Sequence, residues 1–229
     1  MIWNRIGLVV GMQSEARIAK RARNGVVGIG GGLSAGARQA AERLVDEGAT
    51  ALISFGLAGG LDPALMPGAL LVPASVLFDG RRFHAHPRTM NALSGLRVRT
   101  LLAGEAIVGT AAEKARLWHE TGASAVDLES GVVAEVAEER GLPFAMLRAV
   151  CDSATRDLPP AAVEALDSQG RVAPMKMAVI LARHPHQILQ LIGLGRDAAR
   201  ARKALVGGAE NLGRLGRAAA GDAHLGVLL

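Results

Sequence analysis

The run Phe144-Ala145-Met146-Leu147-Arg148-Ala149-Val150-Cys151-Asp152 decides how this chain is read. Phe144–Val150 is short and strongly apolar, the pattern of a strand buried on both faces. Such strands belong to parallel sheets covered by helices. The same pattern recurs toward the N-terminus in Ile6–Val10, Val26–Ile29 and Ala51–Phe55, each running into glycine: Gly11, Gly30-Gly31-Gly32 and the loop Gly56–Gly60. Between them the periodicity predicts helices over Glu15–Arg23, capped by Ser14, and over Ser34–Glu47.

Further along, Ala69–Val72 and Ser75–Phe78 read as strands broken at Pro73, and Asp79-Gly80 as a hairpin turn returning through Arg81–His84. Arg97–Leu102 is another strand. Thr110-Ala111-Ala112-Glu113 is a capping box opening a helix toward Glu120. A short strand Ala125–Asp127 and a helix Ser130–Arg140 precede the decisive run, and helices near Pro160–Leu166 and Val172–Ala182 follow it. Alternating strands and helices predict a single-domain, three-layer α/β/α fold around a mixed, mostly parallel twisted sheet. The catalytic domain is expected over residues 1–182, with a basic helical extension over 183–229.

Composition agrees with a globular protein and narrows its class. The chain has 229 residues, half of them apolar, with only four Phe, two Trp and no Tyr, so its core must be aliphatic. Cys151 is the only cysteine, which excludes an intrachain disulfide and makes a cytoplasmic setting the expectation. The segment from Met1 to Arg17 turns polar too soon for a signal peptide, and no uninterrupted apolar stretch is long enough to cross a membrane. The net charge of +5 resides in residues 183–217, where seven Lys and Arg face Asp197 and Glu210, leaving the rest neutral. A neutral body argues against nucleic acid as a partner.

Ligands of such sheets sit beyond the carboxyl ends of the strands. That rule selects Gly11–Glu15, Gly30–Gly32, Gly56–Gly60 and Cys151–Asp152. Asp152 follows a buried strand, so its carboxyl is expected to be desolvated and to keep a proton it could donate; by position alone it is equally a turn or capping residue. Strand alternation places Asp127 and Glu129 on one side, where neighbouring acids need a cationic or hydroxyl partner; a ribose diol would serve, and so would a helix N-terminus. Glu15 alone is explained by its place in a first helical turn. The stretch Gly30–Ala35 matches a dinucleotide fingerprint only weakly, because it follows the second strand and no ribose-holding acid ends the next one. His84 and His86 lack a third ligand nearby, so no metal is expected. Cys151 has no evident base and reads as a small side chain rather than a nucleophile.

Taken in order, Gly7–Glu15, Gly30–Gly32, Phe55–Leu61, Val126–Ser130 and Arg148–Asp152 resemble the purine nucleoside phosphorylase and methylthioadenosine/S-adenosylhomocysteine nucleosidase superfamily over about residues 6–182. The whole chain, with Pro174–Met177 and the basic tail, looks most like the hopanoid-associated phosphorylases of bacteria, linked to removing adenine from adenosylhopane. The resemblance implies cleavage of the N-glycosidic bond of a 5′-modified adenosine without a cofactor, the ribosyl group passing to phosphate or to water. It implies that Asp152 protonates adenine, Glu129 binds the ribose hydroxyls and Glu15 activates water. It places Ile107, Val108, Leu128, Gly59 and Asp127 around the nucleoside, and Gly30, Gly31 and Gly32 around phosphate or water. Ile107 stands where an aromatic residue is common, Cys151 where Ser is common, and Ile29 where the nucleosidases commonly have Ser. A dimer is implied, with His84–Leu93 reaching a neighbouring site. The apolar Ile188, Leu189, Leu191, Ile192 and Leu194, followed by Arg196, Arg200, Arg202 and Lys203, read either as a helix on an anionic membrane or as one packed on the body. Rival readings are a methylthioadenosine or S-adenosylhomocysteine nucleosidase, a dinucleotide-binding oxidoreductase, and a lipid or nucleoside carrier without catalysis.

Overall fold

A computed structural model of the chain describes residues 5–22, 25–164, 174–184 and 187–225. Eight strands form one sheet: β1 (Ile6–Val10), β2 (Gly25–Ile29), β3 (Ala51–Gly60), β4 (Leu70–Phe78), β5 (Arg81–His84), β6 (Leu96–Ala103), β7 (Ala125–Asp127) and β8 (Phe144–Asp152). The helices are α1 (Gln13–Ala19), α2 (Ser34–Asp46), α3 (Pro87–Asn91), α4 (Ala111–Thr121), α5 (Ser130–Glu139), α6 (Pro160–Glu164), α7 (Pro174–Arg183) and α8 (Gln187–Leu225). The α2–α5 pair and the α1–α8 pair cover the sheet, giving the expected three layers.

The apolar run chosen at the outset, β8, is the hub. It pairs in parallel with β3 and antiparallel with β4, while β3, β7, β6 and β4 pair in series. The five strands β3-β7-β6-β4-β8 therefore return to their start, and this part of the sheet closes on itself. Two antiparallel pairs, β3 with β7 and β4 with β8, thus add to the expected hairpin. In that hairpin Asp79 and Gly80 both have positive φ, 48° and 68°, as a tight two-residue turn requires.

Several boundaries differ from the sequence reading. Gly56–Gly60 is no loop: β3 continues through it, with a register shift at Ala58/Gly59 that redirects its end toward β7. Pro73 does not break a strand. It pairs with Val98 across β6, and on its other flank it falls in the gap after β8 pairing ends at Leu71 and before β5 pairing begins at Ser75. Helix α1 starts at Gln13 with Met12, not Ser14, as its N-cap, and the Gly11 and Met12 amides leading into it donate to Glu15. The short helix α3, with Pro87 in its first turn, carries no periodicity that announced it. Residues 165–166, 172–173 and Arg23, included in expected helices, lie outside the described residues.

The basic extension is built into the body. Ala201, Leu205, Ala209 and Leu212 of α8 are buried in the main core, and α8 packs along β8. No helix among the described residues is long and apolar enough to cross a membrane.

Candidate active site

A cavity of about 520 Å³ opens at the carboxyl ends of β1, β3, β7 and β8. Glu15, Asp127, Leu128, Glu129, Asp152, Gly59, Ile107 and Val108 all line it, as does Gly32. Gly30 and Gly31 do not: Gly30 is packed against Ala37 of α2, and Gly31 sits in the turn with φ of 75° and open space around it. The expected triple-glycine seat is therefore reduced to Gly32.

One side of the cavity is organised by Arg148, which is 1% exposed in the middle of β8. Its Nη2 lies 2.6 Å from Asp127 Oδ2 and 3.1 Å from Glu129 Oε2, and donates to Ser54 Oγ at 2.5 Å. Its Nη1 donates to the Leu57 carbonyl. Asp127 also accepts from the Ser130 hydroxyl and amide. The anticipated cationic and hydroxyl partners of this acid pair are thus supplied by the protein. Asp127 is bound up in holding Arg148, whereas Glu129 Oε1 has no hydrogen-bond partner among the described residues. Strand alternation is not what brings the two acids together: β7 stops at Asp127 and Glu129 is the N-cap of α5.

Glu15, on α1, is 3% exposed. Its Oε2 accepts from the Gly11 and Met12 amides at 3.0 and 2.9 Å, and its Oε1 from the Leu57 amide at 2.8 Å. Burial raises its pKa against the opposing pull of Arg148 and these amides. For Glu129 burial is again the largest cause; Arg148 opposes it, Asp127 and Glu15 add to it, and the pKa is pushed up to about 7. Three carboxyls around one guanidinium carry surplus negative charge, so a proton retained at Glu129 relieves it. Two glycines make the crowding feasible. A Cβ on Gly56 would lie 2.7 Å from Glu15 Oε1 and 2.8 Å from Arg148 Nη1, and one on Gly11 would collide with Glu129 Oε1.

Across the cavity Asp152 ends β8 and is 4% exposed. The sequence reading expected a desolvated carboxyl here and named no counter-ion. The structure buries it and supplies one: Lys114 Nζ of α4 lies 2.5 Å from Asp152 Oδ2, wholly buried. Asp152 is thus half of a buried ion pair. The Cys151 thiol reaches Oδ1 at 3.2 Å, and burial with Asp152 beside it pushes that thiol well above its ordinary pKa, which suits a weak donor and not a nucleophile.

Apart from Glu105, the rest of the wall is mostly apolar: Met12, Leu33, Leu57, Ile107, Val108 and Val126 line it from the body, and Leu158, Ala162, Leu194 and Ala198 from the segment after β8 and from α8. Sequence reasoning assigned no role to Arg148 or Lys114. Arg148 left a signal, since a guanidinium inside an apolar strand must find buried anions. Lys114 left none, because a lysine on an amphipathic helix ordinarily faces water. Among the described residues no group of His, Cys, Asp and Glu is arranged to hold a metal ion.

With this geometry in place, comparison with known proteins assigns the class. Residues 22–183 match the family model of the phosphorylase superfamily, and the chain belongs to that superfamily. Among solved structures it is similar to the 5′-methylthioadenosine/S-adenosylhomocysteine nucleosidase of Neisseria meningitidis in complex with methylthio-immucillin-A, with a TM-score of 0.65 and 16% identity over 92% of this chain and 99% of that one. It is similar to the S-adenosylhomocysteine nucleosidase of Streptococcus pyogenes in complex with 5-methylthiotubericidin, with a TM-score of 0.64 and 16% identity over 93% and 98% of the chains. The native futalosine hydrolase of Helicobacter pylori strain 26695 matches with a TM-score of 0.64 and 15% identity over 92% and 97%. No curated protein sequence matches this one.

Proposed function

We propose that this enzyme cleaves the N-glycosidic bond of a 5′-modified adenosine and releases adenine. The observation that carries the reading is one cavity lined by Asp152, Glu129 and Glu15 at three strand ends. The similar structures named above include nucleosidases of adenosine derivatives. Asp152 protonates the departing purine, since adenine leaves poorly as an anion; Glu129 accepts hydrogen bonds from the ribose hydroxyls and supports positive charge at the anomeric carbon in an oxocarbenium-like state. Ile107, Val108 and Leu128 enclose the nucleoside.

Water is the nucleophile in this proposal, and Glu15, whose pKa is raised, takes its proton. The ionisable side chains among the described lining residues are the carboxyls of Glu15, Glu105, Asp127, Glu129 and Asp152 and the Cys151 thiol, none of them a cation. A phosphate anion entering that space meets like charge with no Lys or Arg to offset it. Gly32 alone of its loop lines the cavity.

The 5′ substituent is proposed to be large and apolar, adenosylhopane being the substrate the resemblance implies. The aliphatic wall from Leu158, Ala162, Leu194 and Ala198 supports this. Ile188, Leu189 and Ile192 of α8 are exposed ahead of Arg196 and Arg200, which supports contact of this helix with an anionic membrane from the cytoplasmic side. A second reading, a methylthioadenosine or S-adenosylhomocysteine nucleosidase, is favoured by the similar structures. A dimer, with 84–93 reaching the neighbouring site, belongs to the same proposal and is checked by sedimentation.

The deciding assay offers the full chain a series of 5′-modified adenosines with and without phosphate, and measures adenine and the sugar product. Adenine and the free ribosyl product are expected without phosphate, fastest with an apolar 5′ group. Strict dependence on phosphate with a ribosyl-1-phosphate product would overturn hydrolysis, and no adenine from any nucleoside would overturn the whole reading.

A further inference from the structure

We propose that Lys114 is a positioning residue dedicated to the leaving-group side of the reaction, holding the Asp152 carboxyl in place and stabilising the carboxylate that remains once its proton has gone to the purine. The inference rests on the role given to Asp152 above. Lys114 is fully buried and does not line the cavity, so it reaches Asp152 from behind. Its ammonium donates to Asp152 Oδ2 at 2.5 Å, to the Ser153 carbonyl at 2.9 Å and to the Arg156 carbonyl at 3.0 Å. A lysine has three donors and no acceptor, so this one is fully used.

That arrangement is more than a filled space. Neighbours on and around α4 are apolar, with Leu61, Val108, Ala123 and Val126 clustered and Leu117 and Trp118 packed against them. An aliphatic side chain would suit such surroundings without the desolvation that an ammonium carries. The ammonium occupies Oδ2 and leaves Oδ1 with the Cys151 thiol, a weak donor, beside cavity-lining Gly59. The same ammonium ties down the turn after β8, which carries Leu158 to the cavity wall.

Asp152, paired with Lys114 in the free enzyme, takes up a proton from solvent as the nucleoside binds. In the bond-breaking step the C1′–N electron pair moves onto the purine, and that proton moves from the Asp152 carboxyl to a purine nitrogen. Asp152 is left as a carboxylate against the Lys114 ammonium. Water adds its hydroxide to C1′ and gives its proton to Glu15; proton exchange with solvent restores both acids, and the net change is addition of one water. Lys114 donates hydrogen bonds throughout and keeps its own protons.

The test separates this role from a structural one by changing the leaving group. Lys114→Met and Lys114→Arg in the full chain are compared with wild type on a 5′-modified adenosine and on the matching p-nitrophenyl riboside, whose phenolate departs without protonation. Lys114→Met is expected to lower kcat on the adenosine substrate by about 10²-fold, with KM nearly unchanged and p-nitrophenolate release close to wild type. Lys114→Arg, which keeps the charge, recovers part of the loss. Equal losses on both substrates, or no loss on adenosine, would overturn the proposal. Should Lys114→Met not fold, Lys114→Gln replaces it with the same expected split. Failure of the underlying reading looks different: Asp152→Asn then shows no such split, or wild type releases no adenine.

Discussion

The Arg148 side and the Lys114 side of the cavity hold their acids by different means. On the first, Glu15, Asp127 and Glu129 share one guanidinium, Arg148, and the negative charge there exceeds the positive. On the second, Asp152 has an ammonium to itself. The first arrangement favours retention of a proton at Glu129 near neutrality. The second fixes one carboxyl in direction against a cation. The difference teaches that acids of one chemical type acquire separate tasks from the number and placement of buried cations around them.

The largest effect expected from breaking this contrast is in turnover. Asp152→Asn should lower kcat for adenine release by about 10²–10⁴-fold, with the circular dichroism spectrum unchanged; near-normal turnover would remove Asp152 from the chemistry. Next comes stability. Arg148→Met leaves three buried carboxyls without their cation, a change that costs about 3–5 kcal/mol for a buried pair broken on one side. Denaturant melts would show it, and a variant as stable as wild type would mean that Arg148 does not organise the cluster.

The smallest effect sharpens the comparison by pH. Because the Glu129 pKa is pushed up to about 7, its neutral form prevails below that value and the carboxylate above it. The carboxylate is the better acceptor for a diol, so KM should rise as pH falls through 7, by at most about tenfold per unit. Glu129→Gln should bind more weakly and lose that dependence. An unchanged pH profile in the variant would assign the titration elsewhere.

Much of this arrangement was legible in sequence because it depends on local pattern. Apolar runs marked β1, β3 and β8, Asp79-Gly80 marked its hairpin, and Thr110 does cap α4 by accepting from the Glu113 amide. Glu15 and Asp152 fell at strand ends, where ligands bind in such sheets, whereas the roles expected of Glu15, Glu129 and Asp152 came from the family resemblance. The surroundings of Asp152 were only half legible: its burial could be inferred from its own strand, but its counter-ion is 38 positions away on a helix.

By itself, then, the order of residues determined the alternation of strands and helices, the aliphatic core and which strand ends bear acids, since periodicity, capping and turn chemistry act over a few residues. Only the tertiary structure decided that β8 closes the sheet between β3 and β4, that α8 forms part of the cavity wall, and that Arg148 and Lys114 divide the acids between them. Those outcomes depend on pairings between distant segments, where burial removes water and makes the nearest charge the dominant one.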